Sequence, residues 1–111
     1  MEIITIQVPL YGQTIEIVIT EDFNSGIEEL KIDNDTKFNL NEREAFMANQ
    51  YDKIWLFIRL DAKPGIIAHE CVHICNYIFQ EANIKLDLDN DEPYAYLMGW
   101  VVEEIHKAIK K

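Results

Sequence analysis

The chain has 111 residues, of which 49% are hydrophobic and 11% aromatic, enough for one domain with a modest core. Its 20 Asp+Glu against 10 Lys+Arg leave a formal charge of −10. That balance excludes binding driven by phosphate neutralisation, and it excludes docking on an anionic membrane surface. A bound divalent cation or a basic protein partner would offset part of the charge.

The start, Met1-Glu2-Ile3-Ile4, lacks the basic region of a signal peptide. The longest apolar run, Ile54-Trp55-Leu56-Phe57-Ile58, is strand-sized rather than membrane-sized. A soluble, cytoplasmic protein is therefore expected. Residues 2–20 read as a β-hairpin, because Ile4, Ile6 and Val8 alternate at period two and so do Ile15, Ile17 and Ile19. Pro9-Leu10-Tyr11-Gly12-Gln13 supplies the turn. Residues 21–26 read as a polar break, and 27–32 as either a short helix or a strand. Residues 33–40 are loop-like. Residues 41–49 contain good helix formers, yet their tail can also pair across Gln50-Tyr51-Asp52 with the apolar run beyond.

The clearest strand is 53–60, apolar enough for burial on both faces. Pro64 suits a helix start, and a helix is expected over 66–82. An acidic connection comes next at 83–91, then a second helix from Glu92 to the C-terminus, with Asp91 as N-cap and Pro93 in the first turn. The expected fold class is α+β, a small sheet packed on two C-terminal helices.

The first of these helices carries His69-Glu70-Cys71-Val72-His73. Positions i and i+4 lie on one helical face, so both imidazoles can reach one metal ion, with Glu70 beside them to take a proton from water. At about 100° per residue, His69, His73, Asn76 and Gln80 share one direction. Ile67, Cys71, Ile74, Cys75 and Ile78 cluster on the other. The two cysteines are thus expected as reduced core thiols, since their spacing is not that of a Cys-x-x-Cys motif.

A catalytic zinc needs a third protein ligand. Residues 83–91 can extend about 30 Å, while the helix beyond His73 rises only about 14 Å. The chain can therefore double back and offer Glu92, with Asp91 and Asp89 as competitors. His106 is about 21 Å from Glu92 along one helix and cannot share its metal; it belongs instead at the helix C-terminus, where cations are favoured. Asp87-x-Asp89-x-Asp91 opens like a calcium loop but has Glu92 where glycine is needed, and Asp33-x-Asp35 fails likewise.

HExxH followed by a glutamate on the next helix resembles the gluzincin class of zinc peptidases. From Lys53 onward, Ala68-His69-Glu70-Cys71-Val72-His73 with Asp91-Glu92-Pro93-Tyr94-Ala95-Tyr96-Leu97 also resembles short zincin-like proteins of tailed phages and prophages. The resemblance implies Zn²⁺ held by His69, His73 and Glu92, Glu70 as general base, and hydrolysis of a peptide or protein substrate. Tyr96 is the expected oxyanion donor and Tyr77 the substitute. Gly99, on the Glu92–Tyr96 stripe, is expected to let the two helices approach closely. An extended peptide could add to a sheet edge beside the site. The competing expectation is a non-catalytic, acidic, phage-type protein that engages a basic host partner.

Overall fold

The alternating isoleucines form the expected hairpin, β1 (Glu2–Gln7) and β2 (Thr14–Ile19), with Ile4 opposite Ile17 and Ile6 opposite Ile15. Gly12 closes its turn at φ 85°, a conformation glycine adopts without penalty. The computed structural model describes residues 1–33 and 40–110; most of the 33–40 loop reading, and Asp35 of the Asp33-x-Asp35 pair, fall on residues outside that set.

Helix α1 (Phe23–Leu30) begins inside the stretch read as a polar break. Asp22 explains the early start. Its carboxylate accepts from the Ser25 backbone N–H (3.1 Å), the Ser25 hydroxyl (2.9 Å) and the Asn41 amide (3.1 Å), satisfying a donor the helix itself leaves unpaired. The helix stops at Lys31, whose left-handed φ of 56° directs its N–H back onto the last turn.

Of the two outcomes open for 41–49, pairing prevails. A short 3-10 turn (Leu40–Glu42) leads into β3 (Ala45–Gln50), which forms a hairpin with β4 (Lys53–Ile58). Tyr51 and Asp52 have φ of 58° and 57°, so both central turn residues are left-handed, as in the type I′ turn that matches strand twist. Local helix propensity loses here to the ladder with β4, whose Trp55 indole also donates to the Gln50 carbonyl (3.0 Å).

The sheet runs β1-β2-β4-β3, with β2 and β4 parallel and β3 at one edge. β4 is central and buried on both faces, as its unbroken apolar run requires. On one face, Ile15, Ile17, Ile54, Leu56 and Ile58 meet α2 (Pro64–Glu81) and α3 (Glu92–Ile109). On the other face, Val18, Trp55 and Phe57 meet α1 through Phe23 and Ile27. Phe46 stacks on Phe57 with ring centroids 4.7 Å apart, and Phe23 meets Phe46 edge-on.

Two helix details differ from expectation. Asp91 occupies the N-cap of α3 but makes no side-chain cap bond, because its backbone is at φ −94° and ψ 5° rather than extended. Gly99 is exposed, and a Cβ there would meet nothing within 4 Å, so it does not mediate a close helix approach. Among the described residues no helix is long and apolar enough to cross a membrane.

Candidate metal centre

Helix α2 starts at Pro64, whose missing N–H costs nothing at the first turn and whose ring holds Lys63 extended. From there its amphipathic phase fixes the site. Ile67, Cys71, Ile74, Cys75 and Ile78 are almost fully buried against the sheet. This burial turns His69, His73, Asn76 and Gln80 outward, where all four are exposed. The cysteines are core thiols: burial pushes Cys71 up to about 11 and Cys75 up to about 12. Neither faces the histidines.

The two Nε2 atoms of His69 and His73 lie 3.2 Å apart, with the rings edge to face. Zinc–nitrogen bonds of about 2.0–2.1 Å in a tetrahedral site require a nitrogen separation of about 3.3–3.4 Å. The pair therefore has the spacing and donor chemistry of a chelate. Glu70 points to the side of α2 that faces β3, and is only 7% exposed. Burial raises its carboxyl above the usual range, opposed in part by His69, His73 and Arg43. A carboxylate that resists ionisation is a stronger base when ionised, which suits it to accept a proton.

These three side chains line one cleft of about 450 Å³ between α2 and edge strand β3. Met47 and Asn49 of β3, Arg43 before it, and Asn76, Tyr77 and Gln80 of α2 complete the walls. Tyr77 thus sits within the cleft, but its hydroxyl is engaged by Glu81. That bond, then burial, pushes it up to about 12.

Glu92 and Tyr96 are placed elsewhere. Among the described residues no group of three His, Cys, Asp or Glu side chains comes together to hold a metal. The rotation of α3 explains this for Glu92. Tyr94 faces α2, donating to Asn76 Oδ1 (2.7 Å) and packing edge-on against Phe79. Glu92, two positions earlier, is about 200° around the helix and faces away. Tyr96 is 77% exposed and lines a separate groove with the β1–β2 turn. Asp91 and Asp89 are likewise exposed, with Asp89 donating its N–H to Asp87 Oδ1 (2.9 Å). His106 donates from Nδ1 to the Val102 carbonyl (2.9 Å) in the last turns of α3.

The tyrosine that does reach the histidine helix is Tyr94, which the sequence reading passed over. The signal was present: Tyr94 is in phase with Leu97, Val101 and Ile105, the buried stripe of α3, whereas Tyr96 is not. Burial raises the Tyr94 hydroxyl above its ordinary range. No protein-family model, no curated protein and no solved structure matches this chain.

Proposed function

We propose that this chain is a zinc-dependent peptidase of gluzincin type, acting in the cytoplasm on a peptide or protein substrate. The observation that carries this reading is the His69–His73 pair, with Nε2 atoms 3.2 Å apart, beside a buried Glu70. A structural metal site has no use for a buried carboxylate at that position.

His69 and His73 would hold the ion, with Glu92 as the third ligand and Asp91 or Asp89 as the substitutes. Glu92 lies in the first turn of α3, which has no side-chain cap, and makes no ion pair among the described residues. Joining the histidines requires this turn to rotate towards α2. Zinc would supply Lewis acidity to the scissile carbonyl and acidify the attacking water. Glu70 would act as the base that takes a proton from water and passes it to the leaving amine. Edge strand β3 runs along the same cleft, and its outer edge, unpaired among the described residues, offers backbone groups to an extended substrate. Tyr94, held by Asn76 one turn beyond His73, is better sited than Tyr96 to border that substrate.

The test is zinc stoichiometry on wild type, His73→Ala and Glu92→Ala, followed by cleavage of a peptide library by the zinc-loaded protein. Wild type should bind one zinc, His73→Ala none, and Glu92→Ala should bind it more weakly. Glu70→Gln should retain zinc and lose about 10²–10⁴-fold in turnover. Wild-type protein that takes up no zinc sinks the proposal. Zinc uptake with library cleavage unaffected by Glu70→Gln sinks its catalytic half.

A further inference from the structure

The displacement of Tyr96 from the histidine cleft leaves it in an apolar groove of about 320 Å³. The β1–β2 turn forms one wall, through residues 9–11, and Pro93, Tyr96, Leu97 and Trp100 of α3 form the other. The groove shares no lining residue with the histidine cleft. We propose that it is a docking site for an extended, arginine-bearing segment of a partner protein.

Strain and exposure at the turn point to a partner. Leu10 is 99% exposed and has a φ of 66°. Bulky side chains rarely adopt this left-handed conformation, and such strain clusters at functional sites. Its side chain is held out over the groove and gains no burial within the chain in return. Tyr96, on the facing wall, is 77% exposed. Two large apolar side chains raised on opposite walls of one groove form a surface suited to burial by a ligand.

The chemistry of the lining selects the ligand. Tyr96 and Trp100 present aromatic rings, whose faces carry negative charge density and attract a guanidinium. Tyr11 backs them, half-buried against Phe79 with ring centroids 6.0 Å apart. Glu103 follows the Tyr96 stripe of α3, is exposed, and makes no ion pair among the described residues. It lies one turn beyond Trp100 with an unpaired carboxylate, on a chain of net charge −10. An arginine can stack on the rings and pair with this acid at once, which a lysine does less well.

The same charge disfavours a second copy of this chain, since two chains of net charge −10 would be brought together. The volume is at the small end of ligand pockets, room for a few side chains of an extended segment rather than the face of a helix.

The test is a ¹⁵N-resolved titration of the full chain with the capped peptide Arg-Leu-Pro-Arg-Leu-Pro-Arg, alongside its analogue with glutamate in place of arginine. The arginine peptide should shift the amides of Leu10, Tyr11, Tyr96, Leu97 and Trp100, and leave His69 and His73 unmoved. Binding should weaken with added salt, and Tyr96→Ala should weaken it about tenfold. Leu10→Gly, which relieves the strained φ while removing the side chain, should also weaken it without unfolding the protein. No shift at the groove by about 1 mM peptide, equal binding of the glutamate analogue, or full affinity in Tyr96→Ala each overturns the proposal. The titration is run on metal-free protein, so none of these readouts depends on zinc.

Discussion

Gly26 and Gly99 both lie in helices, yet replacing each by alanine should move stability in opposite directions. At Gly99, inside α3, an added Cβ meets nothing within 4 Å and the position is exposed. Only backbone entropy and helix propensity change, so Gly99→Ala should stabilise the fold by about 0.8–1 kcal/mol. Unfolding entropy of about 2.1 cal/mol/K per residue turns that into a rise in Tm of about 4 °C for a chain of this length.

At Gly26 the added Cβ would sit 3.2 Å from Phe57 Cε2 and 3.5 Å from Met1 Sδ. Phe57 is fully buried, stacked on Phe46 and edge-on to Phe23, so it has nowhere to retreat. Overpacking of about 1–3 kcal/mol then outweighs the propensity gain of about 1 kcal/mol. Gly26→Ala should lower Tm by a few degrees. Thermal unfolding followed by far-ultraviolet circular dichroism measures both. A Gly99→Ala protein no more stable than wild type would mean that this face of α3 is covered, and a stabilised Gly26→Ala would mean that α1 does not pack on Phe57 as described.

Other expectations are more local. Asp22 is held below its ordinary range by the Ser25 backbone N–H first, then by Asn41 and the Ser25 hydroxyl. A depressed carboxyl stabilises the fold above its unfolded pKa and ceases to do so as pH falls through the folded value. Asp22→Ala should therefore lower the urea midpoint at neutral pH by more than it does in acid, and a pH-independent difference would refute the charge contribution. Cys71 and Cys75, pushed up to about 11 and about 12, hold almost no thiolate at about pH 8. A thiol–disulfide exchange reagent should label them only at the rate of unfolding, and fast stoichiometric labelling of the native protein would contradict their burial.

The helical wheel of 66–82 already separates a chemical face from a core face, and the structure keeps that division residue for residue. Such patterns are legible because periodicity is local: a helix fixes the angle between His69 and His73, or between Cys71 and Ile74, whatever it packs on. The N-terminal hairpin, the central strand and the helix start at Pro64 rest on the same kind of short-range signal. Where short-range signals competed, as at 41–49, the sequence left two outcomes, and the ladder with β4 chose between them. At 21–26 the cap residue Asp22 stood in plain view, but a helix of so few residues carries too little periodicity to be seen.

What needed tertiary structure was everything that depends on how separate elements are oriented. The parallel pairing of β2 with β4 puts β3 at the sheet edge, and only this brings Arg43, Met47 and Asn49 to the cleft. The rotation of α3 is set by burial of Leu97, Val101, Ile105 and Ala108 together. It turns Tyr94 towards the histidine helix, Tyr96 towards the β1–β2 turn, and Glu92 away from α2. Chain length permitted Glu92 to reach the histidines, but contour length bounds a distance without giving a direction. The sequence by itself determined the His69–Glu70–His73 face and the core behind it, because one helix contains them both. The walls of that cleft, and the second surface around Leu10 and Tyr96, were decided by the packing of three layers against one another.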